Sequence, residues 1–214
     1  MRKVRDPEVF DRVVRSLPLQ AHWADGEPYG DVLSVASTSN TTRQFVAEGR
    51  PVATGLLPIG DAWGFTNPSL GRGICLGLKH AVAVTDAIVE MVDQPAEMAV
   101  AWNEATQVHA EPWHESTVQF DRVRGPEVEA LRLGLPDPSD PGDPMVAGSQ
   151  AFFSASHYDA QALAWFQEAA SCLALPMDVL MRPGVFDRVL EVAGQNPPYV
   201  TPGPDRAQLE ELLA

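Results

Sequence analysis

Residues 54 to 88, TGLLPIGDAWGFTNPSLGRGICLGLKHAVAVTDAI, decide how this chain is read. Val52 to Ile59 is short and almost wholly apolar, which predicts a strand buried on both faces, although Pro58 withdraws a ladder donor near its end. Gly60-Asp61 ends that run and opens a loop, and a long helix is expected from about Gly71 to Val92. The polar residues Arg72, Lys79, Asp86, Glu90 and Asp93 fall on one narrow stripe of that helix, and apart from His80 and Thr85 almost every other side chain is apolar. A helix apolar around most of its girth is expected in a core, here ~33 Å long at ~1.5 Å per residue.

Glycines concentrate in the same stretch: six of the 16, Gly55, Gly60, Gly64, Gly71, Gly73 and Gly77, lie between residues 55 and 77. They imply positive φ values or a close backbone approach, and Gly77, inside the helix, costs ~1 kcal/mol relative to Ala and calls for a compensating contact. Strand, acid at its carboxyl end, glycine-rich loop and helix N-terminus is the order in which open α/β sheets hold ligands. Asp61 can accept hydrogen bonds from ligand hydroxyls. The amides of about Gly71 to Ile74 can hold an electron-rich or anionic group.

The chain around this stretch has 214 residues, 45 % hydrophobic and 21 % charged, a balance suited to one large or two small globular domains. Its net charge of −14 argues against nucleic acid and anionic membrane surfaces as partners. Residues 1–50 carry seven basic and seven acidic side chains, residues 51–214 eight against 22, so two differently built regions are expected to meet near residue 50. Cys75 and Cys172 are the only cysteines, too few for a disulfide framework or a four-cysteine zinc site. The start MRKVRDPEVFDRVV meets Asp6, Glu8 and Asp11 where a signal peptide needs an apolar stretch, and no uncharged run approaches the length of a membrane span. A cytoplasmic location is expected.

Asp6-Pro7-Glu8 predicts a capped helix start, followed by an apolar stripe of Val9, Phe10, Val13, Val14 and Leu17. Asp31 to Thr38 and Arg43 to Val46 offer short strands, as if ending a sheet whose other strands lie elsewhere. Beyond residue 93 the pattern is helical: about Ala96 to Val123 with an interruption at Pro112, then Pro126 to Leu133, Ala160 to Leu173, Pro183 to Val192 and Pro204 to Leu213. Residues 136–144, PDPSDPGDP, are expected as a stiff loop.

The string Gly60-Asp61-Ala62, Pro68, Gly71-Arg72-Gly73 resembles the GD motif of FAD-dependent monooxygenases of the aromatic-hydroxylase type and their geranylgeranyl-reductase-like and halogenase relatives. The resemblance implies that Asp61 binds the ribityl chain of FAD, that Pro68 lies beside the isoalloxazine ring, and that the amides of Gly71, Gly73 and Ile74 meet its pyrimidine end. Arg72 and Ala62 belong to the same implied cofactor-binding segment. A helix N-terminus there suits the negative charge of reduced flavin. Trp63-Gly64 stands where many hydroxylases carry Ala-His, which leaves the subfamily open.

No GxGxxG follows an early strand, so the chain resembles the C-terminal half of such an enzyme. The implied fold is α/β, or α+β taken alone: residues 1–50 as the remnant of a substrate-binding sheet, 51–93 as a buried strand and helix of the FAD domain, and 94–214 as a mainly helical region. The implied activity is oxidation of a small apolar or aromatic organic substrate, with NAD(P)H as reductant, oxygen as oxidant and a separate N-terminal FAD-domain partner. The alternative is a non-catalytic fragment or assembly module.

Other motifs are weaker. Gly71 to Gly77 is spaced GxGxxxG and lacks the downstream acid of a dinucleotide fingerprint, and no GK[ST] completes a phosphate loop. In HAEPWHE the histidines His109 and His114 are five apart with Pro112 between, so zincin geometry is not met and a packing or solvated role is expected. Asp137, Asp140 and Asp143 alternate with prolines unsuited to a calcium loop, and Ser34, Ser37 and Ser39 lie in no nucleophile-elbow context. Trp102, Trp113, Phe120, Phe152, Phe153, Trp165 and Phe166 are expected in the core rather than around a ligand, and Cys75 as an inert thiol.

Overall fold

The computed structural model describes residues 2–33, 39–136, 138 and 144–214. Two compact units emerge, one made of Met1–Ser37 with Tyr199–Ala214 and the other of Thr38–Pro198. Ser34 and Ser37, residues 34–38 of the strand expected over 31–38, and Asp137, Asp140 and Asp143 lie outside the described residues.

In the first unit, α1 (Pro7–Arg15) starts as its sequence dictates: the Asp6 carboxylate accepts from the Glu8 and Val9 amides at 2.9 and 3.3 Å. At the other terminus α9 (Arg206–Leu212) opens on a reciprocal capping box between Asp205 and Gln208. Arg12 donates to the Leu212 carbonyl at 3.3 Å and ties the two helices together.

The second unit is mainly helical, so only the helical part of the expected fold class is present in force. Its strands are two residues long. β1 (Thr41–Thr42) pairs antiparallel with β4 (Gly64–Phe65), and β2 (Val46–Ala47) with β3 (Arg50–Pro51). Of the strand expected over 43–46, only Val46 joins a ladder. Glu48 and Gly49 link β2 to β3 at φ 51° and 73°, the doubly left-handed turn whose twist matches a tight hairpin. The strand expected over 52–59 is absent, and Val52, Leu56 and Ile59 are exposed. A strand buried on both faces needs a neighbour along each edge and a layer over each face. Here the segment is instead held by its ends, with the Val52 amide donating to the Phe45 carbonyl at 2.8 Å and the Trp102 indole donating to the Pro58 carbonyl at 3.1 Å.

The helices follow as α2 (Gly73–Met91), α3 (Pro95–His109), α4 (Glu111–Leu133), α5 (Pro144–Ala155), α6 (Ala160–Ala170), α7 (Pro176–Leu180) and α8 (Val185–Gln195). Pro112 opens α4 rather than interrupting a helix, because the first turn needs no amide from it. Pro126 lies inside α4, so the helix expected to begin there is a continuation. Helices α5 to α8 enclose an apolar core of Phe152, Ala155, Ala162, Val179, Val185 and Val189. Asp159 caps α6 through the Ala162 amide at 2.8 Å and pairs with Arg188 of α8 at 2.6 Å.

Helix α2 forms where expected, but it is not wrapped in core. His80 is buried against Trp102 of α3 and Leu76 in a cluster with Trp113 of α4, while Ile74, Leu78, Val82 and Val89 are exposed. Apolar girth specified the helix; nothing among the described residues covers its outer face. Of the polar stripe, Arg72 is buried, Lys79 is half-buried, and Asp86, Glu90 and Asp93 are exposed.

Candidate functional site

The glycine-rich segment begins as a 3-10 turn, Gly60–Ala62, entered through Gly60 at φ 51°. A left-handed φ explains this glycine, and a Cβ here would reach the Cα of Gly77 at 3.6 Å, so the turn lies in van der Waals contact with α2. Gly77 itself gains no explanation, since a Cβ on it would meet open space. The Gly60 amide donates to Nδ1 of His80 at 3.0 Å, and one Arg43 guanidinium nitrogen donates to the carbonyls of Asp61 and Ala62 at 3.0 and 3.2 Å. Backbone and side chains thus hold the turn while Asp61 and Ala62 are exposed.

The second half of the loop is held by an amide–carboxylate knot. Asn40 donates to Asp121 of α4 at 2.7 Å and accepts from the Asn67 amide at 2.8 Å. Asn67 donates from its side chain to the same carboxylate at 3.1 and 3.2 Å and caps the 3-10 turn Pro68–Leu70 through the Ser69 amide. Gly71 then reverses the chain at φ 65° and α2 begins two residues later. Pro68, Gly71, Gly73 and Ile74 are exposed.

Asp61 and the start of α2 come together. The Asp61 Oδ1 lies 4.0 Å from where a Gly73 Cβ would stand, and Arg72, the N-cap residue, makes no side-chain cap. The helix start therefore lacks a side-chain cap, and its partial positive charge sits beside an exposed carboxylate. Arg72 turns the other way. Its guanidinium donates to Ser116 and Thr117 at 3.3 Å and stacks 5.4 Å above the Trp113 ring, where burial lowers its pKa. Its charge braces α2 against α4 instead of facing a ligand.

Beneath the turn is an aromatic cluster that sequence reading did not assemble. Trp63 is buried with its ring 5.3 Å from His80 and 6.0 Å from His114, and His80 lies 5.1 Å from Trp102. Because Nδ1 of His80 accepts from Gly60, its proton is on Nε2, which is buried without a hydrogen-bond partner; Nε2 of His114 is likewise unpartnered. Burial lowers the pKa of both rings, with the nearby His109 adding to the effect on His80. His114 takes a packing role, whereas His109 is exposed. Among the described residues no group of three or more His, Cys, Asp or Glu side chains is placed to hold a metal.

Cys75 is half-buried and packs on buried Cys172, whose thiol burial pushes up in pKa. Trp102, Trp113 and Phe152 are core residues as expected and Trp165 and Phe166 pack on the core, while Phe120 and Phe153 are partly exposed. Two cavities of about 460 and 200 Å³ are lined around Met91 and Val100, and around Arg122 and Val146; neither includes a residue between Gly60 and Ile74. Among the described residues no helix is long and apolar enough to cross a membrane. Comparison with protein-family models, curated proteins and solved structures gives no match for this chain.

Proposed function

We propose that the chain is the C-terminal portion of an FAD-dependent oxidoreductase, a monooxygenase of small apolar or aromatic organic molecules that draws electrons from NAD(P)H. One observation carries the reading: the Gly60 turn sets an exposed carboxylate, Asp61, against the uncapped N-terminus of a 19-residue helix. That donor and acceptor set fits a flavin. Asp61 would accept from the ribityl hydroxyls, and the Gly73 and Ile74 amides with Pro68 would hold the isoalloxazine ring. Bound flavin supplies the redox chemistry, while these residues bind and orient it and favour its reduced, negatively charged form. The loop is open to solvent on this chain, which supports a second polypeptide segment as the other wall of the site.

The test is flavin retention, read as visible absorbance after gel filtration, for the chain alone and for the chain co-produced with a dinucleotide-binding α/β half. Retention is expected in the completed protein and a loss of about tenfold or more in affinity on Asp61→Ala, the scale of a lost charge-assisted hydrogen bond. Unchanged retention in that variant would sink the ribityl assignment. A second reading, a non-catalytic assembly module, is favoured by a different observation, the exposed apolar face of α2.

A further inference from the structure

The outer face of α2 has the pattern of a helix seam. Ile74, Leu78, Val82, Val89 and Val92 are 80, 63, 68, 77 and 61 % exposed. With exposed Thr85 they follow one another at steps of four, four, three, four and three, the spacing that keeps one line of side chains facing a neighbouring helix. Val92 extends the line because the C-cap keeps helical φ and ψ. No charged residue interrupts it.

We propose that this face is a self-association surface, on which α2 pairs antiparallel with α2 of a second copy of the chain. Charge placement selects both the occupant and the direction. Setting Leu78 opposite Val89 of the second copy and Val82 opposite Thr85 stacks four seam residues of each copy in layers, with Val92 facing half-buried Cys75 and Ile74 beyond the last layer, level with Asp93. In that register Lys79, half-buried with its Nζ 5.6 Å over the Trp113 ring, flanks exposed Asp86 of the second copy, and the two-fold axis generates the same pair again. The other flank sets Ala81 against Ile88, an apolar pair. A parallel arrangement instead puts Lys79 beside Ile74 and Asp86 beside Ala81, and joins no opposite charges. The seam is complementary to itself in one direction only.

The interface is small. A stripe covering a third of a helix ~10 Å wide and ~28 Å long offers on the order of 300 Å² per copy, below the ~800 Å² per partner of a stable dimer. A weak, concentration-dependent equilibrium is therefore expected. The inference stands on α2 alone and does not depend on flavin binding.

Sedimentation velocity of the full chain over a wide concentration range tests it, with far-UV circular dichroism as the check on folding. Monomer–dimer exchange is expected for the wild type. Val82→Glu, at an exposed position, abolishes it with helix content retained. Asp86→Lys weakens it about tenfold by turning two attractions into repulsions, and Lys79→Glu with Asp86→Lys restores it. Leu163→Glu, at an exposed position of α6, leaves it unchanged. A wild type that is monomeric throughout, a double swap that fails to recover association, or equal loss with Leu163→Glu overturns the proposal; the first result would leave the face to a different protein.

Discussion

His80 holds the Gly60 turn as an acceptor, a role open only to its neutral ring. Protonating Nδ1 would set one N–H against another, and burial already disfavours the cation. The sign of the pH dependence follows. In the unfolded chain His80 and His114 titrate at about 6.5, whereas in the folded chain both values lie lower. Stability is thus complete above ~6.5 and falls as pH drops below it, because the unfolded chain takes up protons that the folded chain refuses. It levels off once the folded values are passed. The slope in that window is bounded by about 1.4 kcal/mol per pH unit for each histidine. Urea midpoints at about pH 7.5 and 5.5 measure it, and His80→Gln, which keeps an acceptor and cannot titrate, should flatten the curve.

At the scale of elements, α4 carries its own flaw. Pro126 stands in the helix interior, where it withdraws an amide and crowds the preceding turn, and Gly125 before it is a weak helix former. Most positions from Arg122 to Val128 are exposed, so little tertiary contact opposes a change there. Pro126→Ala should raise unfolding free energy by about 1–2 kcal/mol, after allowance for the greater freedom it gives the unfolded chain. A urea curve with unchanged slope and a higher midpoint is the expected record. The same helix shows which elements local pattern reveals. Asp6-Pro7 and the apolar girth of α2 announce their helices because caps and periodicity are local. Pro126 suggests a helix start, yet the helix runs through it. Nothing in the run PMVAGSQAFFSA predicts α5, because Ala147, Gly148, Ser149 and Ser154 mix small and polar residues among the apolar ones and leave no clean helical stripe. The strand expected over 52–59 failed for the opposite reason: local apolarity is clear there, but burial depends on neighbours that only the tertiary structure supplies. Likewise the Gly60 turn, Asp61 and the start of α2 can be read from their order. Their supports cannot, because Asp121 reaches Asn67 and Asn40 from 54 and 81 residues away, and His80 becomes an anchor only once the turn has folded onto α2.

Across the whole molecule, charge and aromatic placement set the behaviour. With a net charge of −14, like-charge repulsion works against the compact state, and the exposed ion pairs return little. Raising sodium chloride from low to physiological ionic strength should therefore raise the melting temperature, because screening relieves more repulsion than attraction. A fall in melting temperature over that range would show that local pairs such as Arg182–Glu168 and Arg188–Asp159 outweigh the excess charge. The tryptophans are unevenly placed: Trp63, Trp102 and Trp113 all lie within the second unit around α2, and two of them touch His80. An imidazolium quenches indole emission, whereas neutral imidazole does so weakly. The molecule thus carries its own optical gauge, in which the brightness of two buried indoles reports, without any added dye, whether the turn that presents Asp61 is seated on its helix.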